Sequence, residues 1–286
     1  MYKILVTNVP KLVTGQFHFI ERAYSMSGID LAFNYEGDFG GDTLRRLAAY
    51  GVPVIGGSRL HKHEQVIVME RLFIEHPKSY FNRTTFEPFN CIEEFDSYVD
   101  MDEFVVKPVL GARGIGVKKI TRAEYKKCLE NRGEVEQVFR EEKEFLLKND
   151  DLAYGSYIED SFRGSMLIQE PIDVKREFRV LYFRQGKCLV YERVKKDGQF
   201  CGNLTHGSEP SKVDANTYQT YITPMLSKFD HLLNDLNYPW LSIDLYVDKY
   251  DTIGIFEFQM EFAYAGFDHR DVRDAMEKSL KHFIKK

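Results

Sequence analysis

Apolar residues recur along this chain in two periods, and changes between them mark three regions. From residue 1 to 57, short apolar runs alternate with a helix-like stretch. Lys3–Thr7, Asp30–Asn34 and Val52–Ile55 read as strands, the third announced by Gly51 and closed by Gly56-Gly57. Between the last two, Asp42–Tyr50 places Leu44, Leu47 and Ala48 on one helical face. Strand, helix and strand with short connections predict a small parallel α/β lobe.

From 58 to 165 the pattern turns helical first. His61–His76 is expected to form a helix with Val66, Met69, Leu72 and Phe73 inward, stopped by Pro77. Phe104–Pro108 and Val117–Ile120 then read as two strands around a glycine-rich turn, and Ala123–Lys148 as a charged helix. From 166 to 286, strand periods return at Met166–Gln169, Phe178–Phe183, Cys188–Val194, Leu241–Val247 and Thr252–Phe258. Helices over Asn216–Leu236 and Asp271–Ile284 would pack across them, giving an α+β lobe with a largely antiparallel sheet.

Composition narrows the class. Of 286 residues, 43% are hydrophobic, enough for a sizeable buried core. The net charge of -5 comes from mixed signs, with no basic stripe that would argue for a nucleic-acid partner. Cys91, Cys128, Cys188 and Cys201 are widely spaced, which points to reduced thiols rather than a zinc or redox motif. The first residues lack the apolar run of a secretion signal, and no stretch approaches the roughly 20 apolar residues of a membrane span. A soluble cytoplasmic protein is expected.

Two constellations carry candidate chemistry. In Phe104-Val-Val-Lys-Pro-Val-Leu-Gly-Ala-Arg-Gly-Ile-Gly-Val117, a strand delivers Lys107 and three glycines follow, Gly111, Gly114 and Gly116. Glycines let backbone N–H groups approach phosphate oxygens closely; Lys107 supplies a fixed cation and Arg113 a movable one. The spacing is not that of a dinucleotide fold, and no P-loop lysine follows the glycines. Phosphates would lie under a hairpin.

The second constellation is acidic. Asp244 sits in one predicted strand, Glu257 and Gln259 two apart in the next, and a turn around Asp248–Thr252 would bring Asp244 opposite them. Oxygen donors converging on one sheet face suit Mg²⁺ shared with nucleotide phosphates.

Taken together, these stretches resemble the ATP-grasp superfamily, in order, from Lys62 to Gln259. The resemblance implies two α+β lobes (58–165 and 166–286) clasping ATP, preceded by the small lobe 1–57. It implies that Lys62 reaches the α-phosphate region, although His61 precedes it where the family usually has Asp. Lys107 matches the second phosphate-binding lysine. Gln169-Glu170-Pro171-Ile172 resembles the hinge that holds adenine through backbone groups and a buried carboxylate, and Glu177 the acid that binds the ribose hydroxyls. Asp244, Glu257 and Gln259 match the metal set, with Gln in place of the usual Asn.

Arg193-Val-Lys-Lys-Asp-Gly-Gln-Phe-Cys-Gly-Asn-Leu-Thr-His-Gly207 looks like the Arg…Asn-Leu…Gly segment of the ribosomal-protein glutamate ligases. That likeness implies a place beside the acyl phosphate for Arg193, and an acceptor side lined by Asn203 and His206. Ser242 stands two residues before Asp244, where many members carry a second arginine. The activity implied is ATP- and Mg²⁺-dependent joining of a carboxylate to an amine through an acyl phosphate. The acceptor could be a small molecule, peptide or protein, and dimers are common among relatives. Two other outcomes fit the same residues: phosphoryl transfer to another acceptor, and nucleotide binding without turnover.

Overall fold

The computed structural model describes residues 4–7, 31–34, 52, 54–55, 60–85, 89, 91–109, 117–130, 166–195, 208–259 and 266–284. The first three strands, β1 (Ile4–Thr7), β2 (Leu31–Asn34) and β3 (Val54–Ile55), pair in parallel in that order. This is the pairing expected of strands joined by crossovers. The expected helix over Asp42–Tyr50 lies outside the described residues.

Helix α1 (Lys62–Arg71) is shorter than its apolar pattern predicts. Val66 and Met69 are buried as expected, but Phe73 is 87% exposed and Ile74 takes the inward place. The reason is a local helix stop. Phe73 adopts a left-handed backbone (φ 52°), while the Phe73 and Ile74 N–H groups donate back to the Glu70 and Met69 carbonyls. Glycine is preferred at such a position, because a side chain there crowds the carbonyl. Phe73→Gly is therefore expected to raise stability by about 0.5–1 kcal/mol, read as a higher urea midpoint.

A four-stranded sheet follows, made of β4 (Ser79–Tyr80), β5 (Glu103–Pro108), β6 (Lys118–Thr121) and β7 (Met166–Gln169) in the order β4-β7-β5-β6. Alternation along β5 sets its two faces. Phe104 and Val106 join Met166 and Ile168 in a core completed by Phe95 of α2 (Ile92–Tyr98) and Tyr125 of α3 (Arg122–Glu130). Lys107 therefore points to the other face. Residues 166–169 pair with β4 and β5, so by hydrogen bonding they belong to this sheet. The expected helix over Ala123–Lys148 is described from Arg122 to Glu130, and the rest lies outside the described residues.

The largest sheet contains β8 (Val174–Phe183), β9 (Cys188–Val194), β10 (Glu209–Lys212), β11 (Trp240–Asp248) and β12 (Ile253–Gln259). Its order is β10-β9-β8-β11-β12, antiparallel throughout. One face carries Phe178, Val180, Tyr182, Ile243 and Leu245. It is covered by a helical stretch beginning at Ala215 and ending in α4 (Leu226–Leu236). Tyr182 packs on Phe229 and donates to Asp230 at 2.7 Å. Val272, Ala275, Met276 and Leu280 bury one stripe of α5 (His269–Ile284), at the spacing of a single helix face. Among the described residues, no helix is long and apolar enough to cross a membrane.

Helix α1 also closes the open edge of this sheet. The Gln65 side chain accepts from the Phe258 N–H at 3.0 Å and donates to the Leu60 carbonyl at 3.1 Å. The Ile255 N–H donates to the Glu75 carbonyl at 2.8 Å. These bonds satisfy N–H groups that an edge strand would leave open, and they seat the first turn of α1 against β12.

Candidate active site

The other face of the large sheet carries polar side chains, Glu177, Arg179, Ser242 and Asp244, beside buried Leu181. Strand β11 is buried on both sides, so it reads as a nearly continuous apolar run, and Ser242 and Asp244 interrupt it. Across one pairing line Asp244 stands opposite Arg179 of β8 and Glu257 of β12. Ser242 stands opposite Leu181 and Gln259. The register thus places Asp244, Glu257 and Gln259 together as the sequence predicts. A bulge beside Asp244 leaves Phe256 without a direct pairing partner. Its ring lies 4.5 Å from that of Tyr246, and the Lys107 ammonium lies 4.9 Å above it. Gly254 lies against the Tyr246 ring, where an added methyl group would collide with the ring's hydroxyl end.

Ion pairs knit this face together. Arg193 bridges two acids, with Nη1 2.7 Å from Glu177 Oε1 and Nη2 2.9 Å from Asp244 Oδ1. Arg179 Nε also meets Asp244 Oδ1, at 3.0 Å, and its Nη1 donates to Ser242 Oγ at 2.6 Å. Lys195 lies 3.5 Å from Glu177. From the first turn of α1, Lys62 reaches Glu257 at 3.4 Å, and its N–H donates to the Val109 carbonyl beyond β5. The described residues expected near the phosphates and metal therefore converge from α1, β5, β9, β11 and β12, joined by Arg179 of β8.

Their protonation follows from burial and charge. Burial would lift the Glu257 carboxyl, but Lys62 and Lys107, with Arg179 and Arg193, pull it down to about 2. Burial raises Asp244; Arg179 and Arg193 oppose the rise, whereas Glu257 and Glu177 add to it. Burial also works against the charge on Arg193, yet Asp244 and Glu177 outweigh it and hold the guanidinium protonated.

The hinge differs from expectation in one respect. Gln169 is buried, and its amide donates to Ser79 Oγ at 2.8 Å. The Glu170 side chain, expected as a buried carboxylate, is 38% exposed and is held by the Tyr80 hydroxyl at 2.5 Å and Lys78 at 3.1 Å. The buried acid of this region is Glu177, at 6%. Backbone groups of Glu170, Pro171 and Ile172 still run between the two sheets. Gly111, Arg113, Gly114, Gly116, Asn203 and His206 lie outside the described residues.

Arg179 is the site residue that motif reading undervalued. Ser242 brings no guanidinium, but Arg179 reaches the same place from the neighbouring strand. The available signal was Glu-Phe-Arg itself: residues two apart on a strand share a face, so Arg179 had to accompany Glu177.

A donor set of two facing carboxylates and an amide suits a hard cation. Among the described residues, no three of His, Cys, Asp and Glu gather into a self-sufficient metal centre. Asp244, Glu257 and Gln259 fit Mg²⁺ only in company with further oxygens, such as those of a nucleotide.

This architecture, a four-stranded and a five-stranded antiparallel sheet with Lys62 and Lys107 reaching β12, is the ATP-grasp fold. Similar solved structures include a ribosomal-peptide-associated ATP-grasp ligase from Chryseobacterium gregarium, in complex with ADP and leader and core peptide. It is 12% identical with a TM-score of 0.56, covering 99% of this chain and 97% of the other. D-alanine–D-alanine ligase from Bacillus anthracis, complexed with ATP, is 16% identical at a TM-score of 0.53, covering 99% and 97%. D-alanyl-alanine synthetase A from Vibrio cholerae is 13% identical at 0.55, covering 90% and 78%. No family model matches the chain, and no curated protein sequence does.

Proposed function

We propose that this protein is an ATP-dependent carboxylate–amine ligase working through an acyl phosphate. The observation that supports it most is the convergence of Lys62, Lys107, Arg179 and Arg193 on Glu257 and Asp244. A buried face with this many cations around two acids is suited to a polyanion accompanied by a metal. Adenine would lie against residues 169–172, with Phe256 and Tyr246 nearby, and Glu177 would take the ribose hydroxyls. Asp244, Glu257 and Gln259 would hold Mg²⁺, which would neutralise charge on the β- and γ-phosphates.

The chain's own residues bind and orient. A substrate carboxylate oxygen attacks the γ-phosphorus, the bond to the β,γ-bridging oxygen breaks, and ADP leaves. Lys62, Lys107, Arg179 and Arg193 lower the cost of negative charge on the transferring group. An amine nitrogen then attacks the acyl carbon, loses a proton, and expels phosphate. Gly111, Arg113, Gly114 and Gly116 would cover the phosphates, and Asn203 would stand on the acceptor side. Of the three similar structures named above, two are a D-alanine–D-alanine ligase and a D-alanyl-alanine synthetase and one holds a peptide, so amino acids and peptides are the first substrates to try.

ADP and phosphate release from the purified protein, with MgATP and pools of amino acids, small carboxylates and peptides, tests the proposal. Release that requires a carboxylate and an amine together is expected. A stable phosphorylated product formed without any amine would point to phosphoryl transfer instead.

A further inference from the structure

The nucleotide reading leaves one buried polar side chain of this face without a role. Ser242 is 1% exposed, in a strand where Trp240, Leu241, Ile243, Leu245, Tyr246 and Val247 are buried around Asp244. A hydroxyl buried there must hydrogen-bond or destabilise the strand. It accepts from Arg179 Nη1 at 2.6 Å, while Nε of the same guanidinium meets Asp244 Oδ1 at 3.0 Å. Arg179 is thus held along two edges. Its backbone pairs with Asp244, so the side chain must slant back one pair along the sheet to reach Ser242, whose own partner is Leu181.

On the other side, Ser242 faces Gln259 and Asp244 faces Glu257. A small residue at 242 therefore leaves room for the guanidinium from β8 beside the longer amide of Gln259. A large side chain at 242 would occupy the place that Arg179 now fills.

We propose that Ser242 is a positioning residue. Its hydroxyl fixes the Arg179 guanidinium beside Asp244, so that Arg179 and Arg193 together bind the phosphoryl group that leaves ATP. The proposal rests on this face being an ATP site. With alanine at 242, Arg179 keeps Asp244 on one edge only and its other edge loses its fixed acceptor. With threonine, the acceptor is restored. Lysine at 179 cannot span both partners, because an ammonium lacks the guanidinium's fork.

The test separates nucleotide from phosphoryl binding in the full-length protein. MgADP affinity is measured by calorimetry, and inorganic phosphate is then titrated into the MgADP-loaded protein. Ser242→Ala is expected to leave MgADP affinity within about twofold and to weaken phosphate about tenfold, the scale of one charge-assisted hydrogen bond. Ser242→Thr is expected to recover most of the phosphate affinity, and Arg179→Lys to resemble Ser242→Ala. Wild-type phosphate affinity in Ser242→Ala would overturn the proposal. So would an equal loss for MgADP and phosphate that threonine does not repair, or a wild-type MgADP complex that takes up no phosphate. A wild-type protein that does not bind MgADP would instead remove the functional reading beneath it.

Discussion

Glu257→Ala is expected to lower ATP-dependent turnover about a hundred- to a thousandfold, the scale seen when a group stabilising transferring charge is lost. Glu257 is the acid on which Lys62 and Lys107 act, and it faces Asp244 directly across the β11–β12 pair. Removing it takes away one of the two carboxylates available to a metal and leaves the lysines without their shared counter-charge. Glu257→Gln distinguishes charge from packing. It keeps the size of the side chain, so its melting curve should stay near that of the wild type while turnover falls nearly as far. Turnover in both variants close to the wild-type rate would remove Glu257 from the mechanism.

Arg193→Met should produce the second large effect, this time on stability as well. The Arg193 side chain is only 4% exposed and joins Glu177 and Asp244, themselves 7% and 11% exposed. Removing the cation leaves two buried acids short of a counter-charge, at a cost of about 3–5 kcal/mol. Nucleotide gives a specific check. If Glu177 receives ribose hydroxyls and Asp244 a metal ion, MgADP relieves the deficit, and it should raise the melting temperature of Arg193→Met more than that of the wild type. Ordinary core damage would show no such difference. Arg193→Lys should not restore turnover, since one ammonium cannot bridge both acids. Equal MgADP shifts in wild type and variant would contradict this account of the pair.

Sequence reading worked best where one physical rule dominated. Met166–Gln169 and Cys188–Val194 have the bounds their apolar runs predict. The facing of Asp244 and Glu257 followed from a short turn and the two-residue period of a strand. Lys62 meets Glu257 although 195 positions separate them in the numbering, and only the order of motifs suggested it. Other features had no local signal. Strand β4 has two residues, α2 has seven, and β10 contains Pro210, so none shows a sustained period. Phe73 fits an inward helical position by spacing, but the left-handed stop at that residue turns it out. Glu170 reads as a hinge acid, yet its partners are Tyr80, from a strand too short to foresee, and Lys78 just before that strand. Arg179 is not marked by a linear motif, because cross-strand neighbours can exchange a role that the motif assigns to one of them.

Hydroxylamine trapping tests the central claim most directly, because it needs no knowledge of the natural amine. The protein is incubated with MgATP, pooled carboxylates or carboxylate-bearing peptides, and hydroxylamine, and hydroxamate is measured beside ADP. The account predicts ATP-dependent hydroxamate from at least one pool, matched by ADP and abolished in Glu257→Ala. ADP formed with a stable phosphorylated product and no hydroxamate, or no binding of MgATP at all, would contradict it.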